Sequence, residues 1–144
     1  MIISEGFEVA NPPKCLLDQS VPPTLSYGQP VDVSGLHVME MQTTHWVETL
    51  TGLGAAGVDM ILAGVGHHPL AGHPMIPVIQ MAADNLPVPF HKDVDLILVG
   101  RQEEYREEVL NLIKKTAARK NVPRAEILEN TDFQITRGLL GVSV

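Results

Sequence analysis

Val58-Asp59-Met60-Ile61-Leu62-Ala63 runs directly into Gly64-Val65-Gly66-His67-His68-Pro69-Leu70-Ala71-Gly72-His73-Pro74, and the chain leaves that segment through Met75-Ile76-Pro77-Val78-Ile79-Gln80. An apolar run bounded by glycine reads as a central strand buried on both faces, as in parallel sheets. Three of the six histidines and three of the twelve glycines fall between residues 64 and 74. Ligands of open α/β sheets gather outside the carboxyl ends of such strands. A functional site is therefore expected in this loop.

Upstream, Leu36-His37-Val38-Met39-Glu40-Met41 follows the turn signal Ser34-Gly35 and alternates partly with period two, which predicts a strand. Gln42-Thr43-Thr44-His45 is a polar joint, in which Thr43 or Thr44 is suited to cap a helix over 46–56. Gly57 suits the end of that helix. Strand, helix and strand in this order predict one βαβ unit. Before it, Pro12-Pro13, Pro22-Pro23 and Pro30 forbid helix and weaken any central strand. Residues 1–35 read as a proline-rich arm packed on the domain or on a partner, with short extended pieces at 7–9 and 24–27.

Downstream, Val78 to Ala82 predicts a short strand or a helical turn, and residues 85–90 are irregular because of Pro87 and Pro89. Asp93 to Gly100 predicts a strand. The clearest helix covers Gln102 to Lys120, with Tyr105, Val109, Leu112, Ile113 and Thr116 on one face. Its acids crowd the start and its bases the end, as the macrodipole prefers. Pro123 opens a last short helix at Arg124 to Glu129, and Phe133 to Thr136 is strand-like. The predicted architecture is a single three-layer α/β domain with a mostly parallel, Rossmann-like sheet over residues 36–144, preceded by the arm.

The formal charge of −7 argues against a nucleic-acid partner, since that affinity comes from Lys and Arg on phosphates. No basic amphipathic helix points to a membrane surface, and no apolar run approaches the roughly 20 residues that span a bilayer. The single cysteine, Cys15, excludes an intrachain disulfide and a four-thiolate zinc site. The N-terminus lacks the basic and apolar regions of a signal peptide. These features predict a soluble cytoplasmic protein. The apolar ending Leu139-Leu140-Gly141-Val142-Ser143-Val144 and the arm point to a homo-oligomer.

Several motifs then line up in order. They are Gly35-Leu36-His37-Val38-Met39, Thr51-Gly52, Ala56-Gly57, Gly64-Val65-Gly66, Gly72-His73-Pro74-Met75-Ile76-Pro77, Asp93-Val94-Asp95 and Phe133-Gln134-Ile135 with Gly138. In this order and spacing the chain resembles the C-terminal part of the altronate/galactarate dehydratase family, hydro-lyases that act on sugar acids. Family enzymes are several times longer, and much of their catalytic region lies upstream of the part matched here. The resemblance implies a small subunit or stand-alone relative that binds a carboxylate ligand at loop 64–74, with lyase chemistry completed by a catalytic partner subunit. It also implies a divalent metal, iron or zinc, for which His68 and His73 are the candidate ligands. One departure bears on activity. The family loop reads Thr-Gly-Arg-Gly, and Val65 stands at the arginine position, where no bidentate pairing with a carboxylate is available.

Dehydration needs a base for the proton alpha to the carboxylate and an acid for the leaving hydroxyl. Imidazole serves either role near neutral pH, which makes His68 and His45 the candidate catalytic groups. Candidate ligand-binding residues are Gly64, Gly66, His67 and Gly72 in the loop. Thr43 and Thr44 at the end of the first predicted strand join them, as do Asp93 and Asp95 on one face of a later strand. Blander roles stand beside each: rings capping backbone groups in a proline-rich loop, glycines serving tight turns, aspartates capping an edge. The second functional reading is a non-enzymatic binding or assembly domain that retains the fold without the chemistry.

Overall fold

The computed structural model describes residues 2–4, 24–41, 44–134, 136–137 and 142–143. The predicted extended piece at 7–9, and Cys15, lie outside the described residues. The chain divides into two compact units, Met1–Val58 with Gln134–Val144, and Asp59–Phe133. Strands and helices mix, and among the described residues two of the three sheets are wholly parallel, so the α/β class holds.

In the first unit β1 (Ile2–Ser4), β2 (Thr24–Leu25) and β3 (His37–Met39) form a parallel sheet in the order β1-β3-β2. The register sets Ile2 opposite His37 and Thr24 opposite Val38. Two pieces of the proline-rich segment thus flank β3 on either side. That arrangement corrects the predicted βαβ unit, because β3 has no free edge left for the next strand to join. Helix α1 (Trp46–Ala55) follows and buries Val47, Leu50 and Leu53. Thr44 is not its cap, and Thr43 lies outside the described residues. His45 holds that place in extended conformation, and its carbonyl accepts from the Thr49 amide at 3.1 Å and the Thr49 hydroxyl at 3.2 Å. Gly52 lets Tyr27 approach the helix closely, since a Cβ there would stand 2.4 Å from the ring. The Tyr27 hydroxyl donates to the Glu48 carbonyl at 2.6 Å.

The end of α1 explains why the next strand starts late. The Val58 amide bonds to Leu53 O at 3.2 Å and the Gly57 amide to Gly54 O at 3.0 Å, with Gly57 at φ 93°. That is a Schellman ending. Val58 is therefore still closing the helix, and the strand predicted at 58–63 forms at Ile61–Val65 (β4) instead.

In the second unit β4, β5 (Val78–Ala83) and β6 (Leu96–Leu98) make a second parallel sheet in sequence order. The central strand is β5 rather than the predicted β4. Val78, Ile79 and Gln80 are consecutive and all buried, which places both faces of β5 inside, whereas β4 alternates between buried Ile61, Ala63 and Val65 and exposed Leu62 and Gly64. Residues 66–77 carry the chain from β4 back to the start of β5 without a helix. The return to β6 runs through a 3-10 helix at Val88–Asp93. Val65, Ala82, Leu86 and Val94 form a core against which Leu70, Phe90 and Ile97 pack.

Helix α2 (Gln102–Ala117) keeps its predicted stripe: Tyr105, Val109, Leu112 and Ile113 are half-buried and Thr116 is buried. Its start carries the glutamate half of a capping box, with Glu104 Oε2 accepting from the Arg101 amide at 3.2 Å. Helix α3 (Arg124–Ile127) lies against β5. Both helices end in Schellman turns with a non-glycine residue in the left-handed region, Arg119 and Glu129, each at φ 55°. A short antiparallel pair, β7 (Thr136–Arg137) and β8 (Val142–Ser143), belongs to the first unit. No helix among the described residues is long and apolar enough to cross a membrane.

Candidate functional site

The segment 66–77 leaves the carboxyl end of β4 and is fastened at three points. Leu70 is held first. The Gln80 carboxamide accepts from the Leu70 amide at 2.7 Å and donates to the Leu70 carbonyl at 2.6 Å. Asn130 Nδ2 adds a contact to the same carbonyl at 3.3 Å. Gly72 is held next, in an isolated parallel bridge to Thr131. Its amide donates to Asn130 O at 2.8 Å and its carbonyl accepts from the Asp132 amide at 3.0 Å. His73 is held last, with its Nδ1 accepting from the Met75 amide at 3.1 Å and its ring edge-on to Phe133.

These fastenings sort the predicted loop residues. Gly64 lies inside β4, not in the loop. Gly72 turns its amide to Asn130, and a Cβ there would sit 2.9 Å from the Ala125 Cβ, so close packing against α3 explains that glycine. Gly66 has no such reason. Its φ is not positive and an added Cβ would meet no heavy atom within 4 Å; the same holds for Gly64. Gly66, His67 and His68 are all exposed, and their amides make no backbone hydrogen bond among the described residues. A bare main chain therefore faces solvent just past the strand end.

The imidazoles differ in what they offer. His68 Nδ1 lies 3.0 Å from Pro69 O. A carbonyl only accepts, so Nδ1 carries the proton and the exposed Nε2 keeps a lone pair. His73 is the reverse: its Nδ1 is the acceptor and Nε2 carries the proton. His73 is also buried, and burial holds its pKa below the ordinary 6.5. His67 is exposed. His68, with Nδ1–H held by a carbonyl and Nε2 open, keeps the form of a ligating imidazole, whereas His73 spends its lone pair on the Met75 amide and so does not complete the expected pair. No group of three or more His, Cys, Asp or Glu is placed to hold a metal among the described residues.

Asp95 serves structure. Asp95 Oδ2 accepts from the Gln80 amide at 2.7 Å and Oδ1 from the Arg124 amide at 2.8 Å, joining β5 to the start of α3. Burial raises its pKa from 3.8, against the downward pull of those two hydrogen bonds and of the Arg124 charge. Asp93 ends the 3-10 helix, half-buried. Thr44 and His45 are exposed at the start of α1 in the first unit, and Thr43 lies outside the described residues. Gln80 is the residue that sequence reasoning missed. Its signal was a lone amide inside the apolar run Val78-Ile79-Gln80-Met81-Ala82.

Parallel α/β sheets with a glycine- and histidine-rich crossover at a strand's carboxyl end define the class of protein. Within that class the family of D-galactarate/altronate dehydratase C-terminal regions matches residues 16–140, and the chain belongs to it. No curated protein matches the chain.

Proposed function

We propose that this chain is a small subunit or stand-alone relative of the sugar-acid dehydratases that binds a carboxylate at the arc Gly66–His68. The observation that carries this reading is the row of exposed, unbonded amides at the end of a parallel strand, beside a glycine that neither packing nor conformation demands. Bare backbone amides are donors, and a carboxylate only accepts. His68, fixed as the Nδ1–H tautomer, supplies Nε2 as the base for the proton alpha to the bound carboxylate. A partner chain or neighbouring subunit donates the proton that leaves with the hydroxyl as water.

The test is thermal denaturation with galactarate or altronate, set against an inert salt at equal ionic strength. A ligand that binds only the folded state raises stability by mass action. Gly66→Ala is expected to leave the unliganded protein as stable as before, or up to about 1 kcal/mol more stable, because the position accepts a Cβ and the unfolded chain loses freedom. It is also expected to abolish the shift. No shift with either acid in the unmodified chain sinks the proposal.

A second reading, a binding or assembly domain without chemistry, draws on Val65. Its side chain is buried in the core with Ala82, Leu86 and Val94, so the position offers a ligand no charge. Binding of galactarate with no turnover in any assembly favours this alternative.

A further inference from the structure

Gln80 sits midway along the central strand, on a stretch whose neighbours are aliphatic, with 0% of its surface exposed. A two-sided buried strand position ordinarily takes Val, Ile or Leu, and a buried carboxamide is unfavourable unless its hydrogen bonds are made. Gln80 makes them to one residue, Leu70, through both its groups. The side chain thereby acts as a strand neighbour to a loop that has no ladder of its own. Between the last residue of β4, Val65, and this clamp lie only residues 66–69. We infer that Gln80 is the positioning residue that sets the shape of the arc Gly66–His68, an inference that rests on the arc being the carboxylate site only for its consequence in binding.

Amide exchange and histidine resonances measured by NMR on the full chain test it. In the unmodified protein the Leu70 amide is expected to exchange at least tenfold more slowly than those of Gly66, His67 and His68. Equal rates overturn the inference even if every variant fails to fold. Gln80→Met keeps the shape and removes both bonds; Leu70 protection is expected to fall at least tenfold at every pH, and the His67 and His68 resonances to move. Gln80→Glu separates hydrogen bonding from packing. A neutral carboxylic acid donates one bond and accepts one, as the amide does, whereas a carboxylate only accepts. That variant is expected to keep near-normal Leu70 amide protection whether the carboxyl is neutral or ionised, since both forms accept from the amide. It is expected to lose its bond to the Leu70 carbonyl as the carboxyl ionises, read as a shift of the Leu70 carbonyl carbon resonance that is absent from the unmodified chain. Unchanged protection in Gln80→Met, or a Gln80→Glu variant that behaves like Gln80→Met at every pH, overturns the inference. Galactarate is expected to bind Gln80→Met about tenfold more weakly. If the unmodified chain binds no galactarate, the carboxylate reading falls and the exchange rates alone judge the clamp.

Discussion

Individual residues carry the sharpest consequences. Gly72→Ala would press a methyl against Ala125, and overpacking at such a contact costs about 1–3 kcal/mol; urea denaturation is expected to show that loss, in contrast to the tolerated Gly66→Ala. Arg119 works in the opposite direction. It holds a left-handed backbone that strains an L side chain by roughly 1–2 kcal/mol. Arg119→Gly should therefore raise the denaturation midpoint, partly offset by the freer unfolded chain. At this scale the sequence was legible where a residue type has one dominant use, as with Gly57 at the end of α1. It was misleading where one type has several. Gly64, Gly66 and Gly72 look alike in a row of letters, yet one is in a strand, one is bare and one is packed against α3.

Elements were legible by pattern and blurred by pairing. The stripe of α2 and the alternation around β3 appeared as expected, because periodicity is a property of the segment itself. Which strand lies in the middle is a property of its neighbours, and the apolar run before Gly64 suggested the wrong one. The difference has a measurable form. Ile79→Ala on β5, where the side chain is fully buried, is expected to cost about 2–5 kcal/mol. Leu62→Ala on the exposed face of β4 is expected to stay within about 0.5 kcal/mol. Equal losses at the two sites would contradict the assignment of β5 as the central strand. Gln80 was illegible for the same reason: its partner Leu70 is ten positions away in a loop without periodicity.

For the whole molecule, buried His73 and half-buried Asp95 pull stability in opposite directions with pH. Burial lowers the His73 pKa from 6.5, so the unfolded chain binds that proton more readily. The contribution of His73 is present above the unfolded value and is lost as pH falls through the lowered folded one. Burial raises the Asp95 pKa from 3.8, so its contribution is present below that value and is lost as pH rises through the folded one. Stability is therefore expected to fall on acidification below about 6.5. His73→Asn, which can still accept from the Met75 amide but does not titrate, should flatten that limb in urea melts taken from pH 7 to 5. An unaltered profile would remove His73 as the cause. One further consequence follows from the bridge between Gly72 and Thr131. During synthesis β4 emerges from the ribosome long before residues 130–133, yet those residues hold the crossover at Gly72 and touch it at Leu70. The nascent chain must therefore wait for its later part before the crossover is complete.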